Sequence, residues 1–272
     1  WELTLPWLQQ FAASKTPQLK TMFKISFKFL CVFILFGFVC LKAYSDQRHG
    51  EIINKLQSDG NNRSIATGFF VTDSGHLITA HHVVKNAKTI QILVDRQRVL
   101  TATLLKANEE LDLALLQVQA ITPFVYLSHS KGVPAGMDVV TIGYPQVAIQ
   151  GLTPKITKGI VNSSTGLRDA KNAFQFSAEV QKGNSGGPLI GPGGTIVGVV
   201  QSKLDALKLS ETTDDLTQNV NFATKSAVLL KFIEDVPNLP TTRPLQPEQP
   251  LKAIRIYQEI TPAIVPVIAT TD

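Results

Sequence analysis

Cysteine is almost absent from this 272-residue chain: Cys31 and Cys40 are the only two, and both lie in one apolar stretch near the start. From residue 46 onward there is none, which excludes disulfide staples, a thiol nucleophile and a cysteine metal site from that part. Tryptophan is confined too, to Trp1 and Trp7, ahead of the first methionine, Met22. Excess positive charge is scarce once its position is considered. Residues 1–45 hold five lysines (15, 20, 24, 28 and 42) against one acid, Glu2. Removing them from the totals of 26 and 21 leaves 21 basic and 20 acidic residues. So even a balance excludes the basic footprint that nucleic-acid binding needs. With 44% hydrophobic and 17% charged residues the chain reads as globular.

The apolar leader has the parts of an export signal. From Met22 it carries Lys24 and Lys28, runs apolar from Phe29 to Leu41, and exits through Ala43-Tyr44-Ser45. A basic start, an apolar core of that length and a small-residue exit predict cleavage after Ser45. The alternative is an uncleaved membrane anchor through 29–41, although the run is short for a spanning helix. Residues 1–21 show no fold pattern and read as upstream sequence foreign to the native protein. Residues 46–236 read as one domain, 237–250 (PNLPTTRPLQPEQP) as a proline-rich linker and 251–272 as a tail.

Within 46–236 the pattern is one of short apolar or β-branched runs broken by turn residues: SIATGFFV, HLIT, TIQILVD, VLTATLL, LALLQVQ, then DVVTIGY, KITKGIVNSS, AFQFSAEV, GTIVGVVQS and NVNFA. Such runs predict an antiparallel β-sandwich or barrel. Helical spacing is clear only in KSAVLLKFIEDV. The stretch from Lys203 to Gln218, including Asp214-Asp215, reads as an exposed, mobile loop.

The strongest chemical signal is Lys182-Gly183-Asn184-Ser185-Gly186-Gly187-Pro188-Leu189. A tight turn at Gly183 can aim the amides of Gly183 and Ser185 at one point, beside a hydroxyl: an oxyanion hole next to a nucleophile. A serine needs a base. Two adjacent histidines, His81 and His82, lie upstream in ITAHHVV, and Asp112 sits between them and Ser185 in ELDLALL. An acid within an apolar run is costly to bury unpartnered, and an imidazole N–H is its obvious partner. His49, His76 and His129 have no carboxylate or histidine at ligand spacing and read as surface or loop residues, so no metal site is expected.

On these residues the chain resembles the chymotrypsin-fold (trypsin-like) serine proteases, and among them the bacterial HtrA (Deg) group. The matching pieces are ATGFFVTDSGHLITAHHVV, LDLALLQV, DVVTIGYP, ITKGIVNSS, KGNSGGPLI, GTIVGVV and NFAT. The resemblance implies an all-β fold of two six-stranded antiparallel barrels, about 64–128 and 135–224, with a short C-terminal helix and the site in the cleft between them. It implies His82 as the base, His81 as a bystander, Asp112 as its orienting carboxylate, Ser185 as the nucleophile and no cofactor. It further implies unfolded or damaged polypeptides as substrates, export to the periplasm or cell envelope, and an open question of oligomerisation. Asn184 stands where digestive relatives carry an aspartate, so activation by a freed N-terminus is not expected.

Glu179 would sit near the base of the specificity pocket, with Gln201 and Lys203 at its wall. There it would favour Lys or Arg side chains, unless it faces outward or is neutralised by Lys182 or Lys203. The tail is too short for the PDZ domain that many HtrA proteins carry. Its ITPAIVPVIAT resembles the segment that often opens such a protease domain, so the tail reads either as the start of a second unit or as a locally docking strand. The rivals to a protease are a catalytically silent scaffold of the same fold and an esterase. An intact His, Asp and Ser set opposes the first; the absence of a G-x-S-x-G elbow and the His-first order oppose the second.

Overall fold

The computed structural model describes residues 62–95, 98–130, 132–201, 219–237, 242–245 and 250–271. The expected leader, His49 and the whole 203–218 loop with Lys203 lie outside them. The first sheet draws β1 (Arg63–Phe70), β2 (His76–Thr79), β3 (Thr89–Val94), β4 (Arg98–Thr101), β5 (Thr103–Asn108) and β6 (Leu113–Gln117) from the front of the domain. After β7 (Leu127–Ser128), the second sheet is built from β8 (Asp138–Gly143), β9 (Lys155–Ser163), β10 (Ala173–Phe176), β11 (Pro188–Ile190), β12 (Ile196–Val200) and β13 (Asn221–Lys225). The short β14 (Thr242–Arg243) pairs with β7, and β15 (Ile264–Thr270) returns to the first sheet. The one-turn helix α1 (His81–Val84) follows β2, α2 (Val147–Gln150) follows β8, α3 (Ser226–Phe232) follows β13, and α4 (Ala253–Ile260) precedes β15.

The second sheet closes: the ladder β11-β8-β9-β10-β13-β12 is completed by β11 pairing with β12, a ring of six antiparallel strands. The first runs β4-β3-β15-β1-β2-β6-β5. Its two ends, β4 and β5, are one chain bent at Ala102, so this strand pairs with β3 through its first half and with β6 through its second. Counted once, it curls the sheet into a second ring of six. This is the all-β, two-barrel architecture with a short following helix that the sequence implies. Full closure removes the exposed strand edges on which sheets aggregate.

The strand set of the first ring differs from the range 64–128. Its central strand, β15, comes from the C-terminal tail and is antiparallel to β1 over seven pairs (Arg63↔Thr270 to Phe69↔Ile264) and to β3 over four. Six of its seven residues are buried. Pro266 is tolerated inside this strand because no ladder demands its missing N–H. Opposite it, Thr67 directs both its backbone groups away from β15, and the β3 ladder ends one residue earlier, at Val267. The first core packs Phe69, Phe70, Leu77, Ile78, Ile92, Leu113, Leu115 and Leu116 with Val267 and Ile268. The second packs Val161, Phe174, Phe176 and Leu189. Helix α4 buries Ile256 against the first core, packs Tyr257 and Ile260 at its margin and leaves Ile254 and Arg255 exposed.

Candidate active site

His82 lies in the second position of α1, just past β2, where the chain turns out of the barrel wall. Its partner Asp112 is not inside a strand, as its apolar flanks suggest, but in the turn immediately before β6, with φ of 51°. Aspartate is one of the few residues that tolerates this left-handed backbone. The turn is held by Leu111 N–H donating to Asn108 Oδ1 (2.9 Å) and Asp112 N–H to the Glu109 carbonyl (3.2 Å); Glu109 also pairs with Lys85 at the end of α1.

The two residues meet in several ways. His82 Nδ1 lies 2.9 Å and 3.0 Å from the two carboxylate oxygens of Asp112. The His82 backbone N–H donates to Oδ1 at 2.9 Å, and the His81 N–H donates to the Asp112 carbonyl at 3.2 Å. An ionised carboxylate only accepts, so Nδ1 carries the hydrogen and Nε2 keeps the lone pair. With 36% of the His82 side chain exposed against 21% of Asp112, that lone pair is reachable from solvent while the carboxylate is shielded. His81 makes no side-chain bond to the carboxylate.

The loop carrying Ser185 is fixed by its own peptide planes. In a trans peptide the C=O and the following N–H point in opposite directions. The Lys182 carbonyl accepts from Gln146 N–H (2.8 Å), which turns the Gly183 N–H the other way. The Asn184 carbonyl accepts from Gly187 N–H (2.9 Å), which does the same for the Ser185 N–H. The remaining donors are spent: Asn184 N–H on the Gln181 carbonyl (3.0 Å) and Gly186 N–H on the Val200 carbonyl (2.8 Å). Among the described residues the amides of Gly183 and Ser185 have no protein acceptor, nor has that of the exposed Lys182 before them. Gly183 has φ of 106°, and a Cβ there would fall 2.4 Å from the Tyr144 carbonyl, so no other residue fits. Gly186, with φ of 78°, brings the loop against the first barrel, where a Cβ would lie 2.4 Å from Ala80 N, two residues before His82.

The loop therefore approaches the strand end that carries His82, while Ser185 itself stays half-buried. Two residues that the sequence reading passed over join the barrels here. Thr67 of β1 binds the Gly183 and Ser185 carbonyls, and Thr224 of β13 donates to the Leu111 carbonyl (3.1 Å) beside Asp112. Gln201 donates to Thr224 Oγ1 (3.0 Å) and is half-buried. Glu179 is exposed rather than enclosed, its carbonyl accepting from Thr157 Oγ1 (2.7 Å), so its charge is solvated. His76 corrects the surface assignment: it is buried in β2 with Nδ1 2.9 Å from Thr72 Oγ1, and burial holds its pKa below the ordinary histidine value. His129 is exposed.

Two closed barrels, a carboxylate-oriented imidazole and a serine loop with two free amides define the trypsin-like class of peptidase domains. Residues 66–199 match the family described as trypsin-like peptidase domain. Among curated proteins the chain is similar to HtrA-type serine proteases. It is 31% identical over 138 residues to a probable periplasmic serine endoprotease, DegP-like, of Chlamydia trachomatis, covering 49% of this chain and 27% of that one. It is 41% identical over 170 residues to the uncharacterized protein y4bJ of Sinorhizobium fredii, covering 62% and 27%. The structure of the serine endoprotease from Yersinia pestis superposes with a TM-score of 0.52 at 25% identity, over 63% of this chain and 57% of that one. The chain thus spans about a quarter of the length of these two curated relatives.

Proposed function

We propose that the protein is a serine endopeptidase working through an acyl-enzyme. Ser185 Oγ attacks the scissile carbonyl while His82 Nε2 takes its proton. The same imidazolium then protonates the leaving amine, and a water deprotonated by His82 releases the acyl group. Asp112 holds the tautomer and stabilises the cation; the amides of Gly183 and Ser185 bind the oxyanion. The observation that carries this reading is the pinning of every carbonyl from Lys182 to Ser185, which fixes the Gly183 and Ser185 amides while leaving both without a protein acceptor. Such a hole is set before substrate arrives and costs no reorganisation during reaction. It also opposes a silent scaffold, which has no use for two buried donors aimed at nothing.

By likeness to the DegP-like relatives, we place the enzyme outside the cytoplasm, in the cell envelope, acting on unfolded or damaged polypeptides. The 22–45 leader supports export either as a cleaved signal or as an anchor; among the described residues no helix is long and apolar enough to cross a membrane. Glu179, being solvated, contributes little to P1 choice, since an exposed charge pair is weak. Cleavage after Lys or Arg is then not expected to dominate in a peptide library.

Labelling of the full chain with a fluorophosphonate tests the chemistry. Wild type and His81→Ala should label at similar rates, whereas Ser185→Ala should not label and His82→Ala should be slower by a factor on the order of 10⁶. A folded wild type that does not label, or a His82→Ala variant that labels normally, would sink the assignment.

A further inference from the structure

The serine loop is rich in glycine, and glycine accepts many backbone conformations, so the direction of the two free amides has to be imposed from outside the loop. Gln146 and Gly187 hold the planes that carry those amides, and one residue holds the carbonyl that follows each of them. Thr67 is fully buried. Its Oγ1 donates to the Gly183 carbonyl at 2.7 Å and accepts from Tyr144 N–H at 3.0 Å; its backbone N–H donates to the Ser185 carbonyl at 3.1 Å. Its own carbonyl accepts from Thr79 Oγ1 at 2.9 Å, three residues before His82.

These bonds are available because β1 and β2 pair only through Phe69↔Ile78 and Phe70↔Leu77, leaving the flank of Thr67 open where the Ser185 carbonyl docks. Space is as tight as the bonding. A Cβ on Gly187 would meet the Thr67 methyl at 3.1 Å, and one on Gly143 would meet its hydroxyl at 2.9 Å. The residue thus holds the carbonyl of each oxyanion-hole residue, the segment at Tyr144 that backs them, and the strand end leading to the base.

We infer that Thr67 is a positioning residue of the oxyanion hole: Gln146 N–H holds the Lys182–Gly183 plane that bears the Gly183 N–H, and the Thr67 hydroxyl holds the Gly183–Asn184 plane that follows, so that Gly183 is fixed on both sides. This rests on the endopeptidase reading above. Without the hydroxyl the second plane loses its anchor, and the Gln146 bond alone is left to hold the Gly183 N–H towards the oxyanion. The ground-state complex, which does not use the hole fully, is left largely intact, so kcat should suffer and KM should not.

The experiment compares wild type with Thr67→Val, which keeps the shape and removes the hydroxyl, and Thr67→Ser, which keeps the hydroxyl. The rates are corrected to the fluorophosphonate-titrated fraction. Thr67→Val should lose about 10- to 1,000-fold in kcat, the range for one oxyanion donor, with KM changed less than about twofold, and should bind a peptide boronate weaker by the same factor. Thr67→Ser should recover kcat to within about threefold of wild type. A Thr67→Val enzyme with lowered melting temperature but unchanged corrected kcat would show a merely structural residue and overturn the inference. So would a loss shared equally by both variants. If Thr67→Val does not fold, the serine variant decides: folded with near-normal kcat it upholds the hydroxyl's role, folded with kcat lost it overturns it. Should wild type itself prove inert, the endopeptidase reading fails first. The positioning claim is then read from the ¹H–¹⁵N signals of Gly183 and Ser185, which Thr67→Val must shift and Thr67→Ser must leave near their wild-type positions.

Discussion

At the scale of single residues, chemistry restricts some positions to one type and leaves others mute. A nucleophile between glycines, a histidine at a strand end and an acid among apolar neighbours stand out because no packing argument asks for them. The candidates Ser185, His82 and Asp112 stand out in the sequence for that reason, and the structure brings the last two within hydrogen-bond distance. Thr67 does not: its partners are backbone groups at 144, 183 and 185, and a threonine in a β-strand is unremarkable in any sequence. Nor does the burial of His76, since a histidine opening an apolar strand looks the same whether it faces in or out. That burial has a consequence. Desolvation lowers the folded-state pKa of His76 below the unfolded value of about 6.5. Below that value the unfolded chain therefore binds more protons than the folded one, and stability falls as pH drops. Denaturant midpoints should be flat in this respect above about pH 7 and decline below about 6.5. In His76→Gln the decline should be shallower; an identical slope in the variant would place the responsible groups elsewhere.

At the scale of elements, alternation and turn residues announced the strands of both barrels but not the location of each barrel's partners. Strand β15 illustrates the limit. Its apolar run is visible in ITPAIVPVIAT, yet the sequence leaves open whether it starts a second unit or docks locally. What decides is long-range: β1 and β3 present a slot whose open ladders would otherwise be left unpaired, at a cost for each buried N–H and C=O. The strand fills it with Ile264, Val265, Val267, Ile268 and Ala269 buried. The element is thus core, not tail. Ile268→Ala should cost about 2–5 kcal/mol, as for a large-to-small change in a packed interior, read as a lowered denaturant midpoint at constant m. Ile254→Ala on the exposed side of α4, where 63% of the side chain is in solvent, should stay within about 0.5 kcal/mol.

At the scale of the whole molecule, the site is assembled by elements that lie far apart in the chain. The proposed base and its carboxylate come from the first ring, the proposed nucleophile and hole from the second, and the first ring is completed by pairing Arg63 with Thr270. A ring closed from both ends of the domain carries a large loop-closure cost before its contacts repay it, so completion of the first barrel should be slow and late. The active site inherits this dependence, because β15 braces β1, which carries Thr67, and Tyr144 Oη donates to the Ile264 carbonyl at 3.1 Å beside the serine loop. A chain ending at Pro250 should therefore lose its fluorophosphonate labelling and become sensitive to proteolysis between residues 63 and 117. The second barrel, whose six strands all lie between 138 and 225, should survive as a protected fragment. Adding a peptide of residues 251–271 at high concentration should restore part of the labelling, since the slot needs only a strand of the right pattern and not its covalent link. A truncated chain that labels at the full rate would mean that the first barrel holds its geometry with β15 removed, and that the strand is packing on a site already complete.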